Sequence, residues 1–193
     1  MRLRILTATM LLLAVTAVPA VAQVGITAGG ISSDATVELG SSDVSTDART
    51  GFQAGVSYAT GGIFGIIVGG YYTEKGFDVS ASNESVRLSY IEVPVMGVVR
   101  LPILERVIGP RLYGGINGGF EVSCKTEGTG LVTPGLCENT NSFDFGLKGG
   151  IGLQVLFFGL DLAYTYGLSD VAKDDLLKIN NRAWSLALII GVG

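Results

Sequence analysis

The residues of this chain that could do chemistry are Glu92, Glu121, Asp144, Lys148 and Asp161, with Gln53, Asn117 and Gln154 beside them. Each sits in a glycine-rich, alternating segment, on the parity opposite to the large apolar side chains. Carboxylates gathered with a lysine have three chemical uses. They can pack as ion pairs that fill a low-dielectric interior, they can line an ion or proton path, or they can form an acid–base dyad. The dyad needs substrate access, which a narrow interior does not provide. The chain contains no histidine, which removes the usual general base, the usual metal ligand and any Ser-His pair. No catalytic residue, metal ligand or cofactor site is therefore assigned, and the chain reads as non-enzymatic. The ion-pair plug is the leading use, and the ion path its alternative. A membrane-embedded lipid-modifying enzyme or protease would need a histidine or an exposed Ser/Asp constellation, and neither is visible.

Cys124 and Cys137 are the only cysteines. Both fall in a polar segment expected to be an exterior loop, and in an oxidising envelope they are expected to form a disulfide. Their separation is 137 − 124 = 13 residues, and closing such a loop is worth on the order of 3 kcal/mol in the chain-entropy model. A redox-sensing pair is the alternative, and a zinc site lacks the histidine it would want.

The elements that must position these groups are strands. Residues 141–166 read NSFDFGLKGGIGLQVLFFGLDLAYTY. Phe143, Phe145, Leu147, Ile151, Leu153 and Val155 fall on one parity, and Asp144, Gly146, Lys148, Gly150, Gly152 and Gln154 on the other. After a tight turn Phe158, Leu160, Leu162, Tyr164 and Tyr166 alternate with Gly159, Asp161, Ala163 and Thr165. A period of two means extended backbone with opposite faces. Each arm is roughly ten residues long, as a tilted strand needs to cross a bilayer. The large face is apolar with aromatics near its ends, and the small face is glycine and charge. That pattern puts lipid outside and a tight polar interior within. One hairpin of a soluble β-sandwich is the competing reading.

Similar alternation predicts strands over 24–31, 51–59, 63–75, 86–100, 111–122 and 182–193. With the two arms these make an eight-stranded antiparallel up-and-down transmembrane β-barrel, an all-β fold. Pro94 interrupts the fourth strand, and proline usually marks an edge or a bulge. Long polar loops at 32–50, 76–85, 123–141 and 167–180 all fall at one end of such a barrel, and short connections at the other. Short periplasmic turns and long exterior loops are the asymmetry of outer-membrane barrels.

Composition agrees. The 193 residues are 48% hydrophobic with a mean hydropathy of +0.48, yet beyond the first two dozen no apolar run approaches a membrane helix. The net charge of −4 argues against nucleic acid as a partner. Residues 1–22 carry Arg2 and Arg4, an apolar stretch and Ala20-Val21-Ala22, the plan of a cleaved secretory signal peptide. The mature chain is expected to start at Gln23, and 23–193 to form one barrel domain in the bacterial outer membrane.

Within the fourth strand, Ser89-Tyr90-Ile91-Glu92-Val93-Pro94-Val95 resembles the Y-[LI]-E-[IV]-P-[LV] segment of the PorT-like outer-membrane β-barrel family. Upstream, Tyr71-Tyr72-Thr73-Glu74-Lys75-Gly76-Phe77 is similar to that family's strand ending in a Lys-Gly pair. The resemblance spans most of the mature chain and implies a small barrel related in architecture to OmpA and OmpX. It implies a structural or binding role through the extracellular loops, with a narrow ion or small-solute channel, or a part in a secretion or envelope assembly, as alternatives. The expected partners are outer-membrane lipid, the barrel-assembly machinery and other envelope proteins, with the barrel itself monomeric. Family members usually end in an aromatic residue that the insertion machinery reads, whereas this chain ends Ile190-Gly191-Val192-Gly193.

Overall fold

Alternation along every apolar segment becomes a wall one residue thick, with one parity turned to each side. The computed structural model describes residues 23–39, 42–44, 46–79, 84–101, 108–127, 142–169 and 177–192. The expected signal peptide, and the tips of the long polar connections, lie outside the described residues. The strands are β1 (Gln23–Leu39), β2 (Ser42–Val44), β3 (Thr46–Ala59), β4 (Phe64–Val79), β5 (Glu84–Arg100), β6 (Ile108–Glu127), β7 (Phe143–Val155), β8 (Phe158–Gly167) and β9 (Leu177–Val192). The long strands pair antiparallel in chain order, and β1 also pairs with β9 from Val24↔Val192 to Leu39↔Leu177. That last ladder closes eight strands into a barrel. Closure is what a membrane crossing requires, because hydrocarbon offers no partner to an open edge. The three-residue β2 is additional, folding back on the end of β1 (Val37↔Val44).

The two faces differ as an inside-out protein should. On β9, Leu188 is 62% exposed while its neighbour Ala187 is 4% exposed. Ile26, Val56, Ile116, Ile151 and Leu160 repeat the outward pattern around the wall. Aromatic pairs cluster at two levels of the outer surface. Phe52 meets Tyr72 at 5.7 Å, Phe120 meets Phe143 at 5.0 Å, and Tyr164 meets Trp184 at 4.8 Å. At the short-turn end Phe157 and Phe158 lie 4.3 Å apart. Along β7, Phe143 to Val155 is 155 − 143 = 12 steps, or about 30 Å along the normal for a tilted strand. That matches the hydrocarbon thickness of a bilayer.

The third long strand (β4) keeps the expected register, with Phe64, Ile66, Val68 and Tyr72 outward and Tyr71 buried. Three expectations need correction. First, Pro94 sits on the interior strand β5, fully buried, at neither an edge nor a bulge. The β4–β5 ladder runs to Val68↔Val95 and resumes at Tyr71↔Glu92, so the missing proline N–H falls in a two-residue gap. Second, the strands outrun the apolar segments. β1 reaches Leu39, β4 reaches Val79, β6 spans Ile108 to Glu127, and β9 starts at Leu177. Beyond the lipid-facing belt the outward parity turns polar while inward positions such as Ser33, Val86 and Leu88 stay buried, so the ladder runs on past the apolar outer face. Third, Cys124 consequently stands on β6 rather than in a loop.

Candidate functional site

The lumen holds the polar residues, and glycine makes the room. A Cβ on Gly150 would meet the Tyr113 hydroxyl at 2.6 Å, and one on Gly152 would meet Nε of Arg111 at 2.7 Å. Large inward side chains on β6 thus lie across bare wall on β7, which is why the small parity of that hairpin is so rich in glycine.

Two layers of charge result. Toward the long-strand end, Lys75 of β4 forms an ion pair with Glu92 of β5, and both side chains are buried. The Lys75 ammonium also lies 5.4 Å from the centre of the Tyr90 ring. Asp144 is the next carboxylate acting on Lys75, and it accepts a hydrogen bond from the Ser169 hydroxyl at 2.7 Å. Glu121, half-buried, is opposite the inward Tyr90 across the β5–β6 ladder. Toward the short turns, Arg111 donates to Asp161 Oδ1 through Nη2 at 2.7 Å and Nε at 3.1 Å. Its Nη1 reaches Gln154 Oε1 at 3.5 Å, and the Gln154 amide donates to Gln23 at 3.3 Å.

Lys148 lies between the layers, buried, with its ammonium 5.4 Å from the Tyr71 ring centre. It feels Glu92 on one side and Asp161 on the other. Burying these charges is tolerable only because cation and carboxylate alternate along the axis. Below Lys148 an apolar cluster of Ile67, Met96, Val98, Tyr113 and Ala163 narrows the bore. A cavity of about 60 Å³ remains, with Thr27, Gln53, Lys148 and Asp161 on its polar side and Ile67 and Met96 on its apolar side. It has room for a few waters.

All of Glu92, Glu121, Asp144, Lys148 and Asp161 therefore face the lumen, but in layers rather than as one cluster. The sequence reading missed Lys75 and Arg111, the cations that neutralise Glu92 and Asp161. Parity was the available signal, since Lys75 shares that of Tyr71, and Arg111 that of Tyr113 and Asn117. Both stand outside or at the limit of the apolar alternation, where side-chain pattern alone does not assign a face. Cys137 lies outside the described residues, so the disulfide stays a proposal. No group of His, Cys, Asp and Glu among the described residues is arranged to hold a metal ion.

A closed eight-stranded wall, apolar outside and ionic inside, defines a small transmembrane β-barrel. The chain belongs to the outer membrane protein beta-barrel domain family, whose model matches residues 19–173, and its place is the bacterial outer membrane. No curated protein matches the sequence. Similar solved structures include Ail, the attachment invasion locus protein of Yersinia pestis, crystallised with a heparin analogue. It shares 18% identity over 89% of this chain and 99% of its own, with a TM-score of 0.46. Neisserial surface protein A shares 11% over 86% and 96%, with a TM-score of 0.48. The N-terminal barrel domain of Pseudomonas aeruginosa OprF shares 9% over 88% and 97%, with a TM-score of 0.40.

Proposed function

We infer that this barrel is a non-enzymatic, monomeric outer-membrane protein that works through its extracellular loops, with its lumen plugged by polar side chains. The observation that carries the reading is the stacked pairing of Lys75 with Glu92 and Arg111 with Asp161 across the bore, beside a cavity of only about 60 Å³. Eight strands leave an interior only wide enough for side chains, and these charged residues occupy it. In this reading the long-strand end faces the exterior, lipid surrounds the wall, the barrel-assembly machinery inserts it, and the exterior loops meet other envelope proteins. The finer PorT-like assignment draws support from its two motifs, which lie on the paired strands β4 and β5 and meet through Lys75 and Glu92. A place in a secretion or envelope assembly would follow from that assignment.

The narrow-channel reading draws on the cavity that Lys148, Gln53, Thr27 and Asp161 help to line. Conductance of the refolded barrel in a planar lipid bilayer separates the two, with Asp144→Ala and Lys148→Ala measured alongside. A silent membrane with folding confirmed supports the plug. Discrete cation-selective steps that those substitutions alter would establish the channel instead.

A further inference from the structure

The stacked ion pairs leave Lys148 unaccounted for. Its side chain is buried, and among the described residues its ammonium is in no ion pair or hydrogen bond and faces only the Tyr71 ring. Two carboxylates act on it through space, Glu92 and Asp161, and Lys75 repels it. Each of those carboxylates already has a cation in contact, Lys75 for Glu92 and Arg111 for Asp161. Asp144, four residues nearer the long-strand end of β7, accepts from Ser169 and acts on Lys75. Glu121 belongs to the same upper level, opposite Tyr90.

The cavity of about 60 Å³ therefore has an excess of positive charge in its wall. Its charged lining residues are Lys148 and Arg111 against Asp161. Thr27 of β1 and Gln53 of β3 line the same space, each only 4% exposed. Thr27 Oγ1 and Gln53 Oε1 are buried and have no hydrogen-bond partner among the described residues. Unmet polar atoms in a buried site call for something to meet them. The Tyr71 hydroxyl, near Ser57 and Thr27, can give its proton to the threonine oxygen, which leaves the threonine proton for the cavity. A half-turn of the Gln53 amide presents its N–H to the same space.

Water alone would satisfy Thr27 and Gln53 but would leave the Lys148 charge without a counterion in a low-dielectric interior. An anion meets all three groups. The space admits a few particles of the size of water, and a halide is little larger than that. One excess positive charge suits a monovalent ion. The guanidinium fork that would grip an oxyanion is already taken, since Arg111 Nε and Nη2 both donate to Asp161. The cavity wall runs down to Gln23, Phe157 and Gly191 at the short-turn end, while the buried Lys75–Glu92 pair stands on the other side of Lys148. We propose that Lys148, Thr27 and Gln53 bind a halide ion, chloride being the abundant one, in a pocket entered from the short-turn end.

The test is urea unfolding of the refolded chain in phosphatidylcholine vesicles, with sodium gluconate exchanged stepwise for sodium chloride at constant ionic strength. Folding of each variant is verified by heat-modifiable electrophoretic mobility. A ligand that binds only the folded barrel raises the folded-to-unfolded ratio at fixed urea by one plus the ratio of its concentration to its dissociation constant. The wild type is therefore expected to gain about elevenfold at chloride ten times that constant. K148M is expected to show no chloride dependence, and T27V to need more chloride for the same gain, by about twofold or more. R87Q removes a cation of the outer face that pairs with Glu74, and it is expected to keep the wild-type dependence. T27V keeps the test decisive if K148M does not fold. A wild type indifferent to chloride would overturn the proposal. So would a K148M or T27V barrel that folds and responds as the wild type does, or loss of the response in R87Q.

Discussion

Replacing Glu92 by alanine removes the carboxylate that neutralises Lys75 in the lumen, where the two side chains are 2% and 5% exposed. Breaking a buried ion pair by removing one partner costs about 3–5 kcal/mol, chiefly because the remaining charge is left without its counterion. Asp144 also acts on Lys75, so the expected loss is smaller, about 2–4 kcal/mol. Replacing both partners by apolar residues of similar size, Lys75→Met with Glu92→Leu, strands no charge between them. Lys148 then loses the attraction of Glu92 and the repulsion of Lys75 together and keeps Asp161, while Asp144 keeps its hydrogen bond from Ser169. The double variant is expected within about 1 kcal/mol of the wild type. The assay is urea unfolding in lipid vesicles, followed by the emission of Trp184. It is the chain's single tryptophan, and it stands on the outer face beside Tyr164. A double-mutant cycle over Lys75→Met and Glu92→Leu is expected to give a coupling of roughly 2–3 kcal/mol. Additive single losses, or an E92A variant as stable as the wild type, would refute the idea that paired charge holds the lumen together.

The lipid face gives a separate test. Leu188→Arg puts a charge at a strongly exposed position on the apolar wall and is expected to cost about 2–4 kcal/mol by the same urea titration. Glycine spacing gives another. Gly150→Ala drives a Cβ into the Tyr113 hydroxyl and should cost about 1–3 kcal/mol, whereas Gly70→Ala meets nothing within 4 Å and should stay near wild type. The proposed Cys124–Cys137 bridge is expected to make both thiols inaccessible to maleimide until reduction, as read by a gel shift. Its removal by C124S with C137S is expected to lower stability by on the order of 3 kcal/mol.

The sequence by itself determined the strand faces. Period-two alternation with large apolar residues on one parity leaves no freedom, because a slip by one residue would turn every Leu and Ile into the lumen. That is why Leu147 and Ile151 lie outward and Lys148 inward, as their parity required. The spacing of turns likewise foretold eight crossings. Tertiary structure alone decided which charges meet. Lys75 and Glu92 are far apart along the chain and join only because the β4–β5 register sets Tyr71 opposite Glu92 and Lys75 opposite Leu88. Arg111 finds Asp161 across β7, over the bare Gly152, because barrel curvature brings second-neighbour strands within reach. The ladder beyond the bilayer was also illegible in the sequence. Polar residues such as those ending β6 pair through their backbones, and backbone hydrogen bonding leaves no trace in side-chain pattern where the outer face no longer meets lipid.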